Sequence, residues 1–154
     1  MVRMTGRQYR NVGGDNYELH LRFEADDRER IYGMGQYQQP YLNLKGCTLD
    51  MEQKNTQASV PFMVSDRGYG LLWNNPAVGQ AFFGKNRTEF SVQSSKQIDY
   101  WITAGDTPAE IVENYTAVTG RVPMMPEFAM GFWQCKLRYQ TQEEILSVAR
   151  EYHR

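Results

Sequence analysis

Apolar and polar residues alternate in short runs through the first hundred positions. Tyr17, Leu19, Leu21 and Phe23 fall on one side of an extended segment, and Glu18, His20 and Arg22 on the other, which predicts a half-buried antiparallel strand. On that pattern His20 faces solvent, and strand alternation accounts for its position better than a catalytic role. Similar runs predict strands over residues 59–64, 69–73, 80–83, 88–93 and 98–103. Asp66-Arg67-Gly68 and Lys85-Asn86-Arg87 carry the turn chemistry between consecutive strands. Six short strands with tight turns predict an antiparallel β-sandwich.

The alternation fails between Gly33 and Gln57, a stretch rich in Gly, Gln, Asn and Tyr. Gln36, Tyr37, Gln38, Gln39, Tyr41, Asn43, Gln53 and Asn55 are the amides and rings that would line a carbohydrate site. The plainer and favoured reading is a surface hairpin covering a sheet, because loops are polar anyway.

Helical spacing occurs twice. Thr107, Pro108 and Glu110 form a start signal of N-cap, first-turn proline and capping-box acid; Ile111, Tyr115 and Val118 then share a stripe until Gly120. Pro123 and Pro126 stiffen the connection that follows. Beyond it, 128–133 predicts a strand, and Thr141 with Glu144 a second capping box for a helix that buries Ile145, Val148, Ala149 and Tyr152. Strand then helix is the first half of a βαβ unit, whose parallel partner strand would come next. The expectation is a mainly β sandwich domain over residues 1–125, incomplete at its start, and a truncated second domain over 126–154. In that reading the chain is a piece of a longer polypeptide.

Seventeen basic and eighteen acidic residues leave a net charge of -1, so no broad electrostatic footprint for nucleic acid or an anionic membrane is expected. No apolar run approaches the roughly 20 residues of a membrane span. Cys47 and Cys135 are too few and too far apart for a metal pattern; two free thiols are expected, with one disulfide as the alternative. No cofactor or metal is expected. Asn86 and Asn114 head N-glycosylation patterns, which are too short to establish secretion, and the localisation stays unknown. Aromatics at 13% suit both sheet packing and sugar stacking.

Five segments in order carry a family resemblance: Ile31-Tyr-Gly-Met-Gly-Gln36, Val60-Pro-Phe-Met-Val-Ser-Asp-Arg-Gly-Tyr-Gly-Leu-Leu-Trp-Asn-Asn75, Ile98-Asp-Tyr-Trp-Ile-Thr-Ala-Gly-Asp-Thr-Pro108, Thr119-Gly-Arg-Val-Pro123 and Gly131-Phe-Trp-Gln-Cys-Lys-Leu-Arg-Tyr139. Together, over roughly residues 17–154, they resemble glycoside hydrolase family 31, with the last segment similar to the α-xylosidase-like branch. The resemblance implies a galactose-mutarotase-like sandwich followed by the first strand and helix of a truncated (β/α)8 barrel. It implies hydrolysis of α-linked glycosides with retention, which takes two carboxyl groups about 5–5.5 Å apart. In the family both are aspartates on later barrel strands, so no catalytic residue is expected here, and the acids present are read as surface charge.

What the resemblance leaves to this chain is substrate contact. A sandwich loop in the family presents a polar residue, often Asp, to the sugar, and Asn55 lies nearest that position; Asn keeps the oxygen and loses the charge. Gln134, Lys136 and Arg138 follow the first barrel strand, where βα loops build barrel sites. As solvated loop charges, Lys136 and Arg138 have an equally good bland reading. Trp133 is read as core rather than sugar platform. The implied partner is an α-linked oligosaccharide, with self-association through the strand and helix face that await neighbours. Two alternatives remain: an autonomous carbohydrate-binding sandwich and a structural or interaction module.

Overall fold

The computed structural model describes residues 5–153. They form two compact units, one up to Gly120 and one from Arg121.

The first unit holds nine strands in two antiparallel sheets. Strands β1 (Arg7–Gly13), β2 (Asn16–Glu24), β4 (Thr48–Met51), β7 (Gly79–Phe83) and β8 (Arg87–Ser95) make a five-stranded sheet in the order β1-β2-β8-β7-β4. Strands β3 (Ile31–Gln36), β5 (Ala58–Ser65), β6 (Tyr69–Trp73) and β9 (Tyr100–Ala104) make the second, ordered β3-β5-β6-β9. The alternation explains the layering: Leu19, Leu21, Ala81, Phe83, Phe90 and Val92 from one sheet meet Ile31, Met63, Leu71 and Trp73 from the other in a single core. Trp73 stacks on Phe90 across that core at 5.5 Å. Each such large apolar side chain taken out of water contributes about 1.5–3 kcal/mol.

All six predicted strands form, and three more appear. Strand β1 lies along the sheet edge with every residue exposed, so it carries no burial pattern to read. Strand β3 runs through Gly33, Met34 and Gly35, all with positive φ, and its pairing with β5 shifts register there. Such a bulge breaks the two-residue period that marks a strand. Strand β4 is only four residues long, within the stretch read as a loop. At the β5–β6 turn, Gly68 adopts φ +80, which a glycine accepts without strain.

Helix α1 (Pro108–Thr119) starts with the full capping box: Thr107 Oγ1 accepts from the Glu110 N–H, and the Glu110 carboxylate accepts from the Thr107 N–H. Ile111 is buried, and Tyr115 stacks on Phe62 of β5 at 4.0 Å. Val118, expected on the same stripe, is 61% exposed near the end of the helix, beyond the Tyr115 contact with the sheet. His20 is half-buried rather than freely solvated, since Glu18 and Glu89 hold its ring from two strands.

In the second unit the expected strand at 128–133 does not form. A 3-10 turn, Glu127–Met130, stands there, followed by irregular chain. A strand depends on ladder partners, and this segment pairs with no strand among the described residues. Helix α2 (Gln142–His153) forms as expected, with Thr141 Oγ1 accepting from the Glu144 N–H. The Glu144 carboxylate reaches back to accept from the Gln140 N–H at 2.8 Å. None of its stripe is buried: Ile145 is 50% and Tyr152 65% exposed.

Candidate functional site

The stretch between β3 and β5 is pinned at its middle. Leu44 is buried and its N–H donates to Ile31 O at 2.8 Å, while Asn43 Oδ1 accepts from the Ile31 and Lys45 N–H groups. Gly46 N–H donates to Phe83 O at 2.6 Å, and Lys45 pairs with the buried Glu29. Thus anchored, residues 37–41 stand against β4 and the hairpin tip, enclosing a groove of about 430 Å³. Tyr37, Gln38, Gln39 and Tyr41 line one side, and Asp50, Lys54 and Gln57 the other.

Hydrogen bonds order the groove's wall. Gln39 clamps the Tyr41 backbone through two hydrogen bonds, donating to Tyr41 O at 2.8 Å and accepting from Tyr41 N–H at 2.6 Å, and Tyr41 is 62% exposed. The Tyr37 hydroxyl donates to Asp50 O at 3.1 Å and lies 2.8 Å from Ser59 Oγ. A hydrogen bond from Gln80, and after it one from Lys54, hold the Asp50 carboxyl below the usual carboxylate range. Lys54 is raised in turn, first by Glu52 and then by Asp50. A rigid ring beside ordered donors and acceptors is an arrangement that takes a hydroxylated ligand.

The eight residues singled out in this stretch divide by task. Tyr37, Gln38, Gln39 and Tyr41 are brought together in the groove. Asn43 and Gln53 spend their amides on backbone, Gln53 gripping Ser59 from both sides, and Gln36 is an exposed residue of β3. Asn55 sits exposed at the hairpin tip, beside the Lys54–Gln57 bridge and Thr56 at φ 72, with no side-chain hydrogen bond among the described residues. Asp50 and Lys54 complete the groove without having been singled out. The signal for Asp50 is the alternation Thr48-Leu49-Asp50-Met51, which buries Leu49 and Met51 and turns Asp50 outward. Lys54, beyond the strand, has no such signal.

The other three candidates lie in the second unit. Gln134 bridges two tyrosines, donating to Tyr139 Oη at 3.2 Å and accepting from Tyr152 Oη at 2.9 Å. Lys136 forms an ion pair with Glu144, whose carboxyl is lowered first by that contact and then by the Gln140 N–H. Arg138 is exposed. Trp133 was expected in the core, yet it is 72% exposed, its indole N–H donating to Ala129 O at 2.8 Å. Cys47 and Cys135 are free thiols. Among the described residues no His, Cys, Asp and Glu group could hold a metal ion, and no helix is long and apolar enough to cross a membrane.

The glycosyl hydrolase 31 N-terminal galactose mutarotase-like domain matches residues 3–80, and the family 31 TIM-barrel domain matches residues 122–154. The chain belongs to glycoside hydrolase family 31. Among family members, it is 56% identical to an uncharacterized family 31 glucosidase, ORF2, of Pseudescherichia vulneris over 153 residues, which are 99% of this chain and 29% of that protein. A family 31 α-xylosidase from a soil metagenome, solved in complex with xylose, superposes with TM-score 0.83 at 57% identity, over 97% of this chain and 22% of its own. A xylosidase from Aspergillus niger superposes with TM-score 0.85 at 35% identity, over 99% of this chain and 22% of its own. The chain thus spans less than a third of the length of these family 31 relatives.

Proposed function

We propose that this chain serves a retaining α-glycosidase of the α-xylosidase and α-glucosidase kind as its sandwich domain, residues 1–125, and the start of its catalytic barrel, 126–154. The observation that carries the reading is the 57% identity, over nearly the whole chain, to an α-xylosidase complexed with xylose. Sugar contacts are proposed in each unit by itself: Asn55 at the hairpin tip of the first, and Gln134, Lys136 and Arg138 after the 3-10 turn of the second. The retaining reaction takes two carboxyl groups about 5–5.5 Å apart, and we assign none to this chain, so by itself it is proposed to turn over no α-glycoside.

Two measurements test this. Purified to homogeneity, the chain is expected to leave aryl α-xyloside and aryl α-glucoside intact; turnover that co-purifies with it overturns the inactive reading. Titration with xylose and α-linked oligosaccharides is expected to shift the amide resonances of Asn55 and Lys136. Saturation elsewhere with these unmoved overturns the contact assignment. The chain is further proposed to self-associate, supported by Phe132, Trp133 and Leu137, each more than 70% exposed. A monodisperse monomer by light scattering at high concentration refutes that.

A further inference from the structure

The outward face of the five-stranded sheet carries a second polar concavity. Register places Glu18 and His20 of β2 beside Ser91 of β8, with Gln80 of β7 across from Ser91 and Asp50 of β4 beyond it. These residues and Gln93 line a cavity of about 370 Å³. A smaller one of about 210 Å³ continues it toward Arg87 and Glu89, with Gln80 and Ser91 common to both. The larger volume lies within the ~300–1,000 Å³ of small-ligand sites.

The side chains here are already ordered. His20 lies 2.8 Å from Glu89 Oε1 through Nδ1 and 3.1 Å from Glu18 Oε1 through Nε2. Arg22 and Arg87 reach Glu89 at 3.0 and 2.9 Å, Arg10 pairs with Glu18, and Gln80 donates to Asp50 at 2.9 Å. Lys54 meets both Asp50 and Glu52. Four carboxylates therefore face four Lys or Arg side chains, and no uncompensated charge of either sign is left to recruit an ion. Apolar anchors for a protein partner are also scarce: Phe82 lies under the Arg87 guanidinium at 4.8 Å. At the centre, the Ser91 hydroxyl makes no hydrogen bond within the described residues.

We propose that this face binds a neutral saccharide, at a site separate from Asn55. A ligand whose hydroxyls both donate and accept is what a charge-balanced array of carboxylates, amides, guanidinium groups and a free hydroxyl recognises. Asp50 also borders the groove lined by Tyr41, so a longer saccharide has a continuous polar path from one to the other.

The test is amide chemical-shift mapping of the full 154-residue chain with xylose, maltotriose and isomaltotriose. Saturable shifts are expected at Gln80, Ser91 and Gln93 at millimolar sugar. Ser91→Val, which suits an extended strand, and Gln93→Ala at an exposed position are each expected to weaken that binding about tenfold, a loss of about 1.4 kcal/mol. Asn55→Ala is expected to leave it unchanged, which separates this site from the one proposed above. Shifts confined to residues 37–57, no saturation, or undiminished affinity in both face variants overturns the proposal.

Discussion

The Lys45 ammonium lies 3.5 Å from Glu29 Oε2, and neither side chain is more than a tenth exposed. The other Glu29 oxygen accepts from the Ser65 and Tyr69 hydroxyls at 2.6 Å each. Burial, then the Glu29 contact, push the Tyr69 phenol well above its usual range, so it stays protonated and keeps donating. This cluster fastens the stretch that carries the groove to the rim of the sandwich. Lys45→Met leaves a buried carboxylate without its cation and is expected to cost about 3–5 kcal/mol. The double variant Lys45→Met with Glu29→Gln should recover much of that. Denaturant unfolding of the two checks it; an equal loss in both would show that the charge pair is not what matters.

Gly70 of β6 makes room for the helix to dock. A Cβ built there would lie 2.6 Å from the Phe62 ring and 2.7 Å from Ile111 Cγ2. Gly70→Ala must therefore displace the Phe62–Tyr115 stack or lift helix α1 from the sheet. Overpacking of this kind costs about 1–3 kcal/mol. Loss of near-ultraviolet aromatic ellipticity along with a lowered unfolding midpoint is the expected signature.

Thr107 caps that helix from outside the core. Thr107→Ala removes the acceptor for the Glu110 N–H and is expected to cost about 1 kcal/mol. Thr107→Ser keeps the oxygen and should retain most of the stability. Thermal unfolding of the two variants distinguishes a lost cap from a lost methyl contact.

Acid should weaken the five-stranded sheet at Glu89. Burial is the largest single influence on this carboxyl and raises it, but hydrogen bonds from Arg22 and His20 with the nearby Arg22 and Arg87 charges outweigh burial and hold it below the ordinary range. A folded-state value below the unfolded one means stability that is present above the ordinary glutamate range and lost as pH falls through the folded value. Glu89→Gln is accordingly expected to be about 1–3 kcal/mol less stable than the parent at neutral pH. That gap should close on acidification. Urea midpoints across the carboxylate range measure it, and a gap that stays constant with pH would contradict the assignment.

Legibility followed burial. The runs at Tyr17–Phe23 and Tyr69–Trp73 announced their strands because one face meets the core, and the Thr107 to Glu110 signal announced a helix start because capping is local chemistry. Strand β1 lay beyond reach because it buries nothing, and β3 because consecutive positive φ angles break its period. In the candidate site, Tyr37, Gln38, Gln39 and Tyr41 stood out by composition. Which amides were free to meet a ligand did not: Asn43 and Gln53 turned out to be occupied by backbone.

By itself the sequence determined the two-residue alternation, the turns and the helix caps, and through five ordered segments it resembled family 31. Only the tertiary structure decided that Asp50 and Lys54 face the Tyr41 loop, and that Glu18, His20, Glu89 and Ser91 share one surface. Glu18 and His20 come from β2 and Glu89 and Ser91 from β8, far apart in the chain. Their meeting is set by sheet order and register, which no local pattern encodes.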